Sequence, residues 1–131
     1  MARIEYAINP SVTNGALNHL FAASWPDHTA RDFATRLERS LVYVCAFDGE
    51  RLLGFINLAW DGGLHAFVLD TTVHPGYRRQ GIGLELVRRA VEVARTRDIE
   101  WVHVDFAPEL RPFYERAGFT PTEAGLIRLP R

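Results

Sequence analysis

The sequence predicts an α+β fold built on a mixed, mostly antiparallel sheet flanked by helices. Three observations predict it. Apolar residues recur in three consecutive strand-like runs between Leu41 and Val73, separated by Asp48-Gly49 and by Asp61-Gly62-Gly63. A helical stripe of Leu84, Val87, Val91 and Ala94 then runs from Gly83 to Arg97. Another strand-like run, Trp101 to Phe106, follows that helix, so a meander leads into a strand-helix-strand unit.

Taken in order, Arg3 to Ile8 alternates as an edge strand and stops at Asn9-Pro10. A short helix from Asn14 to Ser24 is capped by Thr13 and puts Leu17, Leu20, Phe21 and Ser24 on one face. Trp25-Pro26-Asp27-His28 breaks it, and a second short helix runs from Arg31 to Arg39 with Phe33 and Leu37 at helical spacing. Leu41 to Phe47, Arg51 to Trp60 and Leu64 to Val73 are strands, the last stopped by His74-Pro75-Gly76. In the long helix, Glu85 with Arg89 and Glu92 with Arg95 place opposite charges on the wet side. Leu110 to Ala117 is a short helix that tolerates Pro112 in its first turn, and from Phe119 onward a closing hairpin is expected. Cys45, between Val44 and Ala46, reads as buried core.

Composition narrows the function. The 131 residues are expected to form one domain, and 47% apolar with 24% charged is ordinary globular stock. A net charge of -1 argues against nucleic acid or an anionic membrane held by bulk charge. No apolar run approaches the ~20 residues of a membrane span, and MARIEYAINP lacks the apolar core of a signal peptide, so a cytoplasmic location is expected. One cysteine excludes an internal disulfide and a CxxC site, and no metal is expected. All fifteen basic residues are arginine, which rules out Schiff-base chemistry on lysine.

The most informative segment is Val73-His74-Pro75-Gly76-Tyr77-Arg78-Arg79-Gln80-Gly81-Ile82-Gly83. A strand ends, a loop carries Arg78 and Arg79, and Gly81 and Gly83 sit at the mouth of a long helix. The first turn of a helix has unpaired N-H groups and partial positive charge, and glycines let a phosphate approach them. The arginines add charge-assisted donors. The same composition also suits a loop that only packs its helix tightly. The terminal Lys-Ser/Thr of a Walker A loop and the third glycine of a dinucleotide fingerprint are both missing.

Arg78-Arg79-Gln80-Gly81-Ile82-Gly83 resembles the Gln/Arg-x-x-Gly-x-Gly/Ala signature of the GNAT acetyltransferase superfamily. Phe113-Tyr114-Glu115-Arg116-Ala117-Gly118-Phe119 resembles its second signature, and the element order is similar along essentially the whole chain. The resemblance implies splayed central parallel strands, with the strand ending at Val73 parting from the Trp101-Phe106 strand. Backbone groups at Thr71, Thr72 and Val73 would pair with the acetyl carbonyl and pantetheine of acetyl-CoA. Amides across Arg78, Arg79, Gln80, Gly81, Ile82 and Gly83 would hold its pyrophosphate, and Tyr114 would protonate the leaving thiolate.

The chain departs from the family pattern in two places. Phe67 stands where members often carry a glutamate base, leaving His65, two residues earlier on the same face, and Asp105 as candidates. Phe106-Ala107-Pro108 replaces an asparagine often seen before the tyrosine helix. Asp70 points away from Thr71 and reads as holding a loop or helix end. On the acceptor side, Trp25, Asp27 and His28 from one loop and Trp60, Asp61 and His65 from a hairpin suit a primary amine by cation-π contact and charge pairing. The implied activity is acetyl transfer to a small-molecule or peptide amine by direct attack, and a homodimer is compatible with it. A catalytically idle acyl-CoA-binding sensor is the alternative; a toxin acting on aminoacyl-tRNA is disfavoured by the net charge.

Overall fold

Thr13 sets the first helix boundary: its hydroxyl accepts a hydrogen bond from Ala16 N at 3.0 Å, satisfying a first-turn donor. In the computed structural model, which describes residues 3–130, the elements follow in the order β1 (Ile4–Ile8), α1 (Asn14–Ser24), α2 (Ala34–Glu38), β2 (Ser40–Asp48), β3 (Arg51–Trp60), β4 (His65–Val73), α3 (Ile82–Thr96), β5 (Trp101–His103) and α4 (Arg111–Arg116). The β2–β3 hairpin closes with Asp48 opposite Arg51, so Gly49 and Glu50 form its loop, one residue beyond the expected pair. Gly49 takes φ 60, the positive value that the first loop position of such a hairpin demands.

The sheet runs β1-β2-β3-β4-β5, antiparallel throughout except for the parallel β4–β5 pair. Period-two alternation sorts its side chains onto two faces. One face carries Val42, Val44, Leu53, Ile56, Leu58 and Val68 against α3, whose Leu86, Val87 and Ala90 are fully buried. The other carries Cys45, Leu52 and Phe55 against Leu17, Leu20 and Phe21 of α1 and Phe33. Burial pushes the Cys45 thiol up to about 12, which leaves it an inert core group.

Three expectations need correction. Helix α2 is only Ala34–Glu38, because Asp32 turns the chain before it: Asp32 Oδ1 accepts from Ala34 N at 2.9 Å and from Asn14 Nδ2 at 3.0 Å. Strand β5 stops at His103 rather than Phe106, since the chain leaves β4 there. The closing hairpin does not form: residues 119–130 contain no strand, and Pro121 and Gly125 interrupt what little strand pattern they hold. No helix among the described residues is long and apolar enough to cross a membrane.

Helix α3 is the seat of the fold and of the arginine loop that precedes it, and Leu86 anchors it at 0% exposure. Leu86→Ala removes that anchor and leaves a cavity, so it is expected to cost about 2–5 kcal/mol in urea unfolding. A loss below about 1 kcal/mol would show that the helix is held elsewhere.

Candidate active site

Strand β4 meets β5 at only three positions: His65 opposite Trp101, Ala66 opposite Val102 and Phe67 opposite His103. Beyond Phe67 the two strands part, as expected, while β4 continues to Val73 along β3. Between the pairs Asn57–Leu69 and Phe55–Thr72, the single β3 residue Ile56 stands opposite two of β4, which marks a bulge at Asp70 and Thr71. Asp70 takes φ 60, a costly value for a residue with a Cβ, and its carboxylate pairs with Arg36 Nη1 of α2 at 3.0 Å. Asp70 therefore ties a helix to the strand, as its position predicts. The Arg36 partner is not foreseen.

The bulge turns Thr71 toward α4. Its hydroxyl oxygen is buried and has no hydrogen-bond partner among the described residues. An orphaned polar atom on a strand edge that has lost its neighbour suits a ligand that adds in place of the missing strand. Thr72 faces the other way: its Oγ1 donates to Asp70 O at 2.9 Å and accepts from Trp25 Nε1 at 3.0 Å. That bond fastens the residue after α1 to β4, so the Thr72 side chain is structural and only its backbone could meet a ligand.

Tyr114 of α4 lies beside Thr71, 7% exposed and stacked on Phe106 with centroids 4.9 Å apart at 20°. Phe113 and Phe119 meet its ring edge-on. Burial raises the phenol above its ordinary value; the Thr71 hydroxyl, close to the phenol but not in hydrogen-bonding geometry with it, offsets part of this, and Asp105 adds to the rise. A cleft of about 590 Å³ joins Thr71, Tyr114 and Asp105 to Trp25, Asp27 and His28 from the loop after α1. Arg31 and Arg36 also line it, and neither is singled out by a motif.

Three predicted residues fall elsewhere. His65 begins β4, six residues before Thr71, which is about 20 Å along an extended strand. There its Nδ1 lies 2.6 Å from His103 Nε2, outside the cleft. Trp60 pairs with Ala66 at that same far end, donates from Nε1 to Gly63 O at 2.8 Å and lies under the Arg97 guanidinium at 5.5 Å. Asp61 is also taken up there: Gly63 N donates to its Oδ1 at 2.7 Å, and this bond leads in holding the carboxyl below its usual range. Phe67 stacks on His103 at 4.7 Å, where the strands begin to part.

The arginine loop is held from below. His74 N donates to Leu53 O at 2.7 Å, His74 Nδ1 accepts from Gly76 N at 3.0 Å, and Tyr77 Oη donates to Asp48 Oδ2 at 2.8 Å. Burial, and then the Arg51 charge, lower the His74 imidazole, which favours the neutral acceptor that Gly76 needs. Arg79 and Gly81 both take positive φ, 65 and 78, and α3 starts with no side chain capping its first N-H groups. A Cβ on Gly81 would meet no atom within 4 Å, so the loop is open at the position where α3 begins. Gly83 has a different role: a Cβ there would touch Phe113 at 3.4 Å, so it lets α3 and α4 approach. Ile82 is core at 2% exposure and could offer a ligand only its backbone. Arg78 and Arg79 make no ion pair among the described residues.

A model of the acetyltransferase (GNAT) family matches residues 13–119. A probable glucosamine 6-phosphate N-acetyltransferase 2 of Oryza sativa subsp. japonica is 36% identical over 101 residues, covering 75% of this chain and 57% of that protein. The chain spans about half the length of the curated relatives it matches. Among solved structures, a GNAT family acetyltransferase from Streptococcus pneumoniae TIGR4 superposes with TM-score 0.80 and 28% identity over 98% of this chain and 99% of its own. An aminoglycoside N-acetyltransferase in complex with CoA superposes with TM-score 0.78 over 100% of this chain and 97% of its own; at 16% identity the likeness is one of fold.

The raised phenol gives a direct check. Difference absorbance titration of the parent against Tyr114→Phe should show the Tyr114 ionisation above the ordinary tyrosine value of about 10. A step below that value would contradict the desolvated environment described.

Proposed function

This chain belongs to the acetyltransferase (GNAT) family, and on that premise we propose that it is a single-domain enzyme moving an acetyl group from acetyl-CoA to an amine. The observation that carries the reading is the bulged, unpaired stretch of β4, with the orphaned Thr71 hydroxyl and the buried Tyr114 beside it. These residues fit acetyl-CoA: an extended pantetheine can add to the open strand edge, and its pyrophosphate can lie over the uncapped start of α3. The fold neighbour that holds CoA supports the same choice.

Bound acetyl-CoA would supply an activated acetyl thioester, and the rest of the chemistry falls to this chain. Backbone N-H groups near Thr71 and Val73 hold the pantetheine arm and polarise the carbonyl oxygen, where negative charge grows. Amides from Arg79 to Gly83, with the Arg78 and Arg79 guanidinium groups, hold the pyrophosphate. Trp25 and Asp27 receive the protonated acceptor by cation-π contact and charge attraction. Asp105, in the same cleft, takes the ammonium proton and frees the lone pair that attacks the acetyl carbon. As the carbon-sulfur bond breaks, Tyr114 gives its proton to the departing sulfur. The products are the acetylated amine and free CoA thiol. His65 and Trp60 have no part in this scheme, because both lie at the far end of the β3–β4 hairpin.

Tyr114→Phe tests the scheme at its most chemical point. It removes one hydroxyl and keeps the ring on Phe106. We expect kcat to fall about 10²–10⁴-fold. The thermal stabilisation by CoA, about 2.7 kcal/mol at a hundred times its dissociation constant, should persist, and AMP should not reproduce it. Turnover within a few-fold of the parent would make Tyr114 structural. CoA binding with no thiol release from any amine would favour an idle acyl-CoA sensor instead.

A further inference from the structure

Two asparagines of α1 hold the segment that joins it to α2. Asn14 Oδ1 accepts from Phe33 N at 2.9 Å. Asn18 Oδ1 accepts from Arg31 N at 2.9 Å and lies 2.8 Å from His28 Nε2. Its Nδ2 donates to Arg31 O at 2.8 Å and to Asn14 O at 2.9 Å, so the amide is saturated on both sides. Both backbone groups of Arg31 are therefore tied to one side chain. The Trp25 indole fastens the other end of the segment to Thr72.

A segment pinned at so many points presents its side chains in fixed places, and Arg31 is presented to the cleft. Arg36, beside it in the same cleft, is committed to Asp70 at 3.0 Å. Arg31 makes no ion pair among the described residues. A free guanidinium is a planar fork of donors that matches a carboxylate edge to edge. Given the acetyl transfer to an amine proposed above, on which this rests, we propose that the acceptor is a free amino acid. Arg31 receives its carboxylate while Asp27 and Asp105 face its ammonium.

Charge separates this acceptor from other amines. Asp27, Asp70 and Asp105 line the cleft against Arg31 and Arg36, so carboxylates outnumber guanidinium groups by one. An amino acid enters as a zwitterion, with no net charge to oppose that excess. An amine bearing a doubly ionised phosphate enters with net negative charge. It finds one free cation, and the carboxylates around it repel it. A plain amine uses only the acidic half of the arrangement and leaves the Arg31 fork empty.

Thiol release from acetyl-CoA tests this with free amino acids and the amide of each. Phosphoethanolamine and glucosamine 6-phosphate are run beside their unphosphorylated parents. The acid-to-amide ratio of kcat/KM is compared between the parent and Arg31→Met, which cancels the different basicity of the two amines. The ratio should fall about 10- to 100-fold, through the KM of the acid, as the loss of one charge-assisted contact requires. Arg31→Lys should recover part of it, because the charge remains and the fork does not. The KM for acetyl-CoA should not move. Arg31 is exposed, so circular dichroism should be unchanged in both variants. A ratio unaffected by Arg31→Met overturns the proposal, as does a parent that prefers either phosphate to every amino acid. Turnover of plain amines or amides with no amino acid accepted overturns it too, and leaves acetyl transfer standing. Thiol release from no amine at all, with CoA still stabilising the fold, defeats the acetyl-transfer reading and the amino acid acceptor with it.

Discussion

A backbone N-H or C=O taken from water must find a partner, and the short ladder between β4 and β5 fails to provide one. Pairing holds for three residues and then stops, while β4 runs on for six more along β3. Everything at the site depends on that parting. It bares the β5-facing edge of β4, and the bulge at Asp70 and Thr71 turns Thr71 into the gap. α4 crosses the open side and brings Tyr114 to Thr71. Asp70 holds its positive φ while paired with Arg36 of α2, and both residues line the cleft, so a helix braces the strained residue beside the gap.

The surroundings assign the polar groups different tasks. Tyr114 is enclosed by three phenylalanines and kept protonated, which suits a group that must give a proton away. Asp27, Asp105 and the exposed Trp25 face the same cleft and supply negative charge and an aromatic surface where the proposed acceptor would enter. Trp25 has a second role, since its indole bond to Thr72 fixes the loop after α1 to the strand that carries Thr71. Across the molecule, Tyr77 and His74 brace the arginine loop against β2 and β3, and α3 begins without a side-chain cap beside the open position at Gly81.

Local chemistry made much of this legible. The Thr13 cap fixed both the start of α1 and its buried face, and the two glycines after Arg78-Arg79 marked the loop before α3. Periodicity of two gave the face of each β4 residue but not its height along the strand. His65 shares a face with Phe67 yet lies at the wrong end of the hairpin, and Trp60 was misplaced with it. The length of β5 was hidden for a related reason. Val104 and Phe106 continue its pattern, and only the tertiary divergence of the chain ends the strand at His103. Arg36 escaped notice because its partner Asp70 is 34 residues away in sequence. The expected hairpin after Phe119 failed where Pro121 and Gly125 weaken strand pairing, leaving apolar residues in solvent.

In the proposed function, acyl-CoA fills the vacant strand position between β4 and β5. Residue-resolved amide hydrogen exchange, with and without saturating CoA, tests it most directly. The account predicts slower exchange at β5-facing amides between Val68 and Val73 and at the first amides of α3, with the β1–β2 ladder unchanged. Protection confined to the arginine loop, with β4 amides exchanging as before, would mean that CoA binds without entering the gap and would contradict the account.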